Sequence, residues 1–440
     1  MAKAPVFFGQ SFEIDPGNPG NNSSVTALND GRFVAVWAGS EIWAQIYDYD
    51  GTPLGSSFRV NKFGERVGTP SVVALEDGGF AVGWSDYVPG QNGTGNQDDL
   101  FFRMFDAEGR PQTADKQLHP TVAGDDAQLS LASFGDGFLA LWSALGDDPG
   151  AMTPSRGISG RAFTANGTAE TTPLWIAEQR EGVQDEPQVA TVGNGELAYV
   201  YRSEFQEVRL GIFDTGGAPM GAEIVVDDGS DGIENSATVA PLVDGRFIVV
   251  WNDLRTGDRE DNEVHGRLFG FEGTGPGRRL VPESAVLVLA GTGGGSEFEM
   301  QAVGVGGGGF LLAWLQEGEI VDGLKQYDIM ARFFGADASP RGSAFAVAED
   351  VPFGSQRNLD IAESKDGAVM VSWYEYRETP SGALESVVKA RILESPATAD
   401  QAGDFVPGTR DLDVLSGGAG DDTVLGKAGN DTLEGKGGDD

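Results

Sequence analysis

One pattern recurs seven times along this 440-residue chain: a turn with glycine, an aromatic or apolar residue, a short apolar run and a closing Trp or Tyr. The first copy is Asp30-Gly31-Arg32-Phe33-Val34-Ala35-Val36-Trp37, and the fifth is Asp244-Gly245-Arg246-Phe247-Ile248-Val249-Val250-Trp251. The closing residues fall at 37, 84, 142, 201, 251, 314 and 373, so the spacings are 47, 58, 59, 50, 63 and 59. A unit this small cannot bury its own apolar face. It must stack against its neighbours.

Each copy reads as a hairpin turn entering a strand that is buried on both faces. A short strand precedes each turn, such as Pro70-Ser71-Val72-Val73-Ala74-Leu75. A third strand follows the Trp after a variable loop, as in Leu100-Phe101-Phe102-Arg103-Met104-Phe105. After a tight turn such as Asp106-Ala107-Glu108-Gly109, a fourth strand is expected, for example Ser57-Phe58-Arg59-Val60-Asn61. Four antiparallel strands per unit describe one blade of a β-propeller, with the Trp as a wedge between sheets. The seventh copy offers no fourth strand after Leu393. Ser11-Phe12-Glu13-Ile14-Asp15 resembles a fourth strand and precedes the first unit, so the N-terminal strand is expected to complete the last blade and close the ring. The fold class is therefore all-β: a seven-bladed β-propeller of four-stranded antiparallel blades over 1–396.

No run is apolar enough to cross a bilayer, and no cysteine occurs. The start, Met1-Ala2-Lys3-Ala4-Pro5-Val6, has no basic region leading into an apolar core. That leaves a cytoplasmic protein, or export by a route that reads the far C-terminus. Lysine and arginine total 30 against 68 acidic residues, a net charge of −38. Such a surface repels nucleic acid and anionic membranes and favours divalent cations.

Residues 397–407 read as a linker, after which a nine-residue period begins. One turn is Gly417-Gly418-Ala419-Gly420-Asp421-Asp422-Thr423-Val424-Leu425, and the next is Gly426-Lys427-Ala428-Gly429-Asn430-Asp431-Thr432-Leu433-Glu434. A degenerate turn starts at Gly408, and a last one stops at its sixth position, Asp440. This matches the Gly-Gly-x-Gly-x-Asp-x-apolar-x repeat that winds a parallel β-roll around Ca2+. Glycines (Gly417, Gly418, Gly420, Gly426, Gly429) let the turns bring carbonyl oxygens to an ion, and Asp413, Asp422, Asp431 and Asp440 supply hard anionic oxygen. Val414, Val424 and Leu433 are expected to face the thin core at position eight. The region 408–440 is thus expected to be the start of a calcium β-roll.

The blades and this tail together resemble secreted bacterial repeats-in-toxin (RTX) proteins. The resemblance implies that each ion sits between turns two repeats apart, pairing Asp413 with Asp431 and Asp422 with Asp440. It also implies extracellular or surface location and export by a one-step, type I channel reading an uncleaved C-terminal signal. The ending in mid-repeat suggests that such a signal has been cut away.

Other candidates are weaker. An arginine column (Arg103, Arg161, Arg267, Arg332, Arg391, with Gln45 in the first unit) is expected to be buried between blades and paired to acidic turns. Acidic stretches around Asp98–Asp99, Asp258–Glu263 and Asp322 with Asp328 read as solvated loops, or as further calcium sites. The two histidines, His119 and His265, lie in different blades, and His265 is expected to be packed or paired. No catalytic motif is present, so the catalytic residues stay unassigned. The expected function is a ligand-binding or adhesion module for a glycan, matrix component or surface protein, docked at the channel or on long loops at 86–98, 143–157, 252–263 and 315–327. The competing readings are a hydrolase or lyase acting on extracellular polymers and a passive spacer.

Overall fold

In this computed structural model the described residues are 6–395, apart from 8, 16, 63–66, 88–97, 120–125, 146–155, 172–173, 179–181, 205–206, 228–232, 255–261, 274–277, 292–296, 322–323, 349–355 and 379–383, together with four short strands between 405 and 434. Seven antiparallel sheets follow one another, six of them ordered A-B-C-D along the chain and the seventh taking its outer strands from the N-terminus. In blade 1 these strands are Asn21–Ala27, Phe33–Ala38, Ile42–Tyr47 and Phe58–Arg59. The A strands touch those of both neighbouring blades in an unbroken cycle, with the seventh meeting the first. The chain is a closed seven-bladed β-propeller.

The B strands are sealed on both faces. Every residue of Phe33–Ala38 is buried, and the closing Trp37, Trp84, Trp142, Trp251, Trp314 and Trp373 are buried between blades. The A–B and C–D turns lie on one face of the ring. The B–C and D–A connections lie on the other, the long-loop face. The Asp106–Gly109 turn forms as expected: the Gly109 amide donates to the Asp106 carbonyl at 2.9 Å, with Gly109 at φ 77°. A side chain there would also strike Phe58 of the preceding blade.

Three details differ from the sequence reading. The D strands are shorter than expected. Ladder pairing covers Phe58–Arg59, Ile224–Val225 and Phe345–Ala346, and the buried Val60, Val226 and Val347 then add one amide bond each to the C strand before the chain turns away. The stretch 315–327 is mostly not a loop, since Gly309–Val321 and Leu324–Gly335 continue as one long hairpin. Blade 5 adds a fifth strand, with both Arg279–Pro282 and Leu287–Ala290 pairing to its C strand, Asn262–Glu272.

The arginine column fastens blades, but to backbone carbonyls more than to acidic turns. Arg103 Nη1 donates to the Val60 carbonyl at 2.8 Å, Arg161 Nη1 to Leu118 at 2.9 Å and Arg391 Nη1 to Val347 at 2.7 Å, each acceptor ending the previous blade's D strand. Arg103 also has an acidic neighbour, Asp115 at 3.6 Å. D-strand carbonyls face the next blade and would otherwise be unpaired, so a forked donor is needed there. Blade 4 has Gly211 at this position, and the Tyr199 ring occupies the space a side chain would need.

Closure uses the N-terminal segment, as expected. Phe12 and Glu13 pair with Ala390 and Lys389, and Val6 and Phe7 pair with Glu394 and Leu393. Ile14 takes the role of Val60, and the Tyr47 hydroxyl donates to its carbonyl at 2.6 Å where other blades use arginine. On the channel side of the seam, Asp360 of blade 7 accepts from the Val25 amide of blade 1 at 2.9 Å. Burial pushes this carboxyl up to about 6.

The last four strands are Phe405–Pro407, Val414–Ser416, Thr423–Leu425 and Thr432–Glu434, one every nine residues. The first pairs in parallel with the third and the second with the fourth, an offset of eighteen residues. That is β-roll winding, with alternate turns feeding alternate sheets. Its first strand lies inside the stretch read as a linker. The register sets Leu415 against Leu433, so the second strand's position-eight residue is Leu415 rather than Val414. Asp413, Asp422, Asp431, Asp440 and the glycines Gly417, Gly418, Gly420, Gly426 and Gly429 lie outside the described residues.

Candidate functional site

The mouth of the central channel on the long-loop face is built from the upper ends of the A strands. Six of these strands carry a bulge whose central residue has positive φ: Asn22 (46°), Gln128 (55°), Glu186 (54°), Ser236 (47°), Glu299 (34°) and Asn358 (52°). Each sits at a register shift with its B strand. A non-glycine residue there costs about 1 kcal/mol or more, so the arrangement must be held by its contacts. The contacts run from blade to blade. Gln128 Oε1 accepts from the Glu186 amide at 3.0 Å, Glu186 Oε2 from the Ser236 amide at 2.9 Å, and Glu299 Oε2 from the Asn358 amide at 2.6 Å. Asn22 Nδ2 donates to Thr69 Oγ1 at 3.0 Å, Thr69 being blade 2's unbulged equivalent. This polar girdle is a repeated, structural feature.

The residues just beside the girdle break the sevenfold pattern. In blade 4, Arg202 grips Asp185 through two bonds of 2.8 and 2.7 Å and lies 3.7 Å from Glu186. In blade 3, Arg156 donates to Ser143 Oγ at 3.2 Å, and Ser143 donates on to Gln128. In blade 7, Arg357 stands opposite Tyr374 and lies over the Tyr327 ring of blade 6 at 5.1 Å. Tyr376 is exposed and meets Tyr374 edge to face at 5.9 Å. Burial raises the Glu299 carboxyl, and the Arg357 charge partly offsets this.

A second polar group lies between blades 4 and 5. Glu234, Asp253 and Glu263 stand side by side on strands A, B and C of blade 5, all buried. His265 sits between Asp253 (3.2 Å from Nδ1) and Glu263 (3.1 Å from Nε2). Glu234 Oε2 accepts from the Val208 amide of blade 4 at 3.0 Å. Burial, with Asp227 beside it, pushes Glu234 up to about 9, so it is an uncharged acid at neutral pH. Glu263 and Asp99, read as parts of solvated loops, are both buried, Asp99 directly across from Asp86. His119 stacks on Trp142 at 5.4 Å, and His265 is packed and paired as expected. Among the described residues, no group of three or more His, Asp or Glu side chains is arranged to hold a metal ion.

Residues 407–440 match the family described as RTX calcium-binding nonapeptide repeat (4 copies). The C-terminal segment is an RTX calcium-binding repeat. Its strands pair at an eighteen-residue offset, the winding of a β-roll, and RTX repeats of this family bind Ca2+. The chain thus joins an RTX segment to a seven-bladed propeller. No curated protein matches it. A solved structure from Dyadobacter fermentans, of unknown function, is 14% identical with a TM-score of 0.51, covering 87% of this chain and 100% of that one. NanB sialidase from Streptococcus pneumoniae gives 12% and 0.46, covering 89% and 71%. The GH93 α-L-arabinofuranosidase of Fusarium graminearum gives 13% and 0.41, covering 74% and 92%. Likeness at this level concerns the propeller fold and not its chemistry.

The sequence reading named the channel and the long loops but none of the mouth residues. Arg357, Tyr374 and Arg202 stand where the aligned copies vary most. Aligning the residue before each bulge gives Asn21, Gly68, Ala127, Asp185, Asn235, Phe298 and Arg357, a column whose scatter was the available signal.

Proposed function

We propose that this chain is an extracellular, calcium-structured RTX protein whose propeller is a binding module, taking a glycan or surface protein at the channel mouth on the long-loop face. The observation that supports this is how the girdle's acids are used among the described residues. Glu186 and Glu299 each accept a neighbouring blade's amide, and Asp185 is held by Arg202. A glycoside-cleaving enzyme needs two carboxyl groups free to act on a bound substrate. This rim instead presents hydrogen-bonding groups and tyrosine faces, the surface of a binding site. A glycan array probed with the full chain, with and without calcium, tests the reading. Retention of a defined glycan without release of reducing ends is the expected result. Steady release of sugar from a polymer would establish the enzyme instead.

The RTX segment is proposed to order on calcium, with Asp413 and Asp431 serving one ion and Asp422 and Asp440 another. So few turns bury little surface, so half-saturation is expected at about 1 mM, in the range of weak extracellular sites. Calcium titration of the full chain by far-UV circular dichroism should show a saturable gain of β signal. The Asp422→Ala/Asp431→Ala variant should need at least about tenfold more calcium. A wild-type spectrum unchanged at about 20 mM calcium would refute the assignment.

A further inference from the structure

We propose that the blade 6–blade 7 sector of the mouth is a subsite for an acidic sugar, a pyranose bearing a carboxylate, with Arg357 taking the carboxylate and Tyr374 and Tyr376 the ring. The inference rests on the glycan-binding reading above and names its substrate class.

Arg357 differs from the other arginines described near it. Those of the column are consumed by D-strand carbonyls, and Arg202 is neutralised by Asp185. The Arg357 guanidinium carbon lies over the Tyr327 ring, 5.1 Å from its centroid, and the group makes no hydrogen bond or ion pair among the described residues. Stacking on an aromatic face leaves the N–H edge of a guanidinium available, and that fork matches a carboxylate in two-point geometry. Glu299 is near enough to feel its charge, but one oxygen of Glu299 is engaged by the Asn358 amide.

The flank of the sector suits a sugar ring. Tyr374 stands directly across the A–B ladder from Arg357, half-buried against the core between blades 7 and 1, and Tyr376, two residues further up the same strand, is exposed. Tyrosine offers an apolar face to sugar C–H groups and a hydroxyl to sugar oxygens. At the positions of Arg357 and Tyr374, blade 1 has Asn21 and Ala38, and blade 2 has Gly68 and Ser85. Symmetry therefore does not repeat the subsite. A surface of net charge −38 repels polyanions generally, so an acidic polymer is retained only where a specific cation meets it.

The test uses the full chain in about 0.15 M salt, where charges further apart than about 8 Å are screened. It compares immobilised polygalacturonate with the same polymer methyl-esterified, which keeps the rings and removes the charges. Wild type is expected to bind the acid form more tightly. Arg357→Gln should weaken that binding about tenfold or more and erase the preference, leaving the esterified form unaffected. Arg357→Lys should recover part of it, and Tyr376→Ala should weaken both forms. Unchanged thermal unfolding separates these effects from misfolding. Each comparison is repeated with EDTA, because calcium bridging between two acidic surfaces would be independent of Arg357. Equal binding of both forms, or an acid preference that survives Arg357→Gln, overturns the subsite and leaves the mouth as a glycan site. Binding of neither, with other glycans bound on the array, overturns this substrate class alone. No glycan binding of any kind overturns both.

Discussion

Deleting residues 1–15 should lower the propeller's unfolding temperature by about 6 °C, measured by calorimetry against the full chain. The deletion strips two short strands from the C strand of blade 7, the pairs Phe12–Ala390 and Phe7–Leu393 among them. It removes Ile14, which is buried, and exposes core around Tyr47 and Val388. Burial of one such side chain contributes about 2 kcal/mol. The bonds from the Ile14 amide to the Val388 carbonyl and from the Tyr47 hydroxyl to the Ile14 carbonyl add about 1 kcal/mol each. Phe7 also packs edge to face on Phe345 at 5.9 Å and lies under Arg391 at 3.7 Å. Together these amount to a loss of about 5 kcal/mol, at slightly over about 1 °C for each in a propeller of nearly 400 residues. The open edge of blade 7 should also promote self-association. Unfolding coincident with that of the full chain would show that the clasp is not what holds the ring shut.

Glu234→Gln should stabilise the protein at alkaline pH and leave it nearly unchanged at pH 5. In blade 7 the equivalent residue is Gln356, also buried, whose side-chain oxygen accepts the Ile329 amide of the preceding blade at 2.7 Å. An amide therefore already performs this task elsewhere in the ring. Glu234 does it as an acid that burial pushes from its ordinary 4.5 up to about 9. The folded value is the higher one. The acid's stabilising effect is therefore complete below about pH 4.5 and is lost progressively up to about 9, as the unfolded chain sheds a proton the folded chain keeps. The limiting slope is about 1.4 kcal/mol per pH unit. Sharing of the proton through the hydrogen bond to Asp227 reduces it, so the expected gain at pH 8 is roughly 2 kcal/mol, or about 2 °C in a domain of this size. Denaturant titrations of both proteins from pH 5 to 9 would measure the divergence. Parallel curves would mean that Glu234 is ionised in the folded state.

Strand order, blade number and closure were legible in the sequence because they follow from local chemistry repeated seven times. Asp-Gly turns, doubly buried B strands and a closing aromatic leave few other ways to bury the surface. Glu13 and Ile14 showed their role by likeness to Arg59 and Val60. The D strands were overestimated in length: Val60 and Val226 do bond to the C strand through their amides, but ladder pairing covers only the two residues before each. The arginine column looked like ion pairing, since a carbonyl acceptor has no side chain to appear in a pattern. The mouth was least legible. Arg357, Glu299 and Tyr374 come from two blades and three strands, and only the bulges and the ring closure bring them together.

By itself the sequence determined the architecture and the calcium-binding tail, because both are periodic and a period states which residues must share an environment. Tertiary structure alone decided which charges are spent and which remain. Arg103 and Arg357 are the same side chain in sequence. One is bound to a neighbouring blade's backbone, and the other lies on a tyrosine face at the mouth. The physical reason is that hydrogen-bond satisfaction depends on what the fold places opposite a group, and in a ring of blades the opposite partner is usually about fifty residues away.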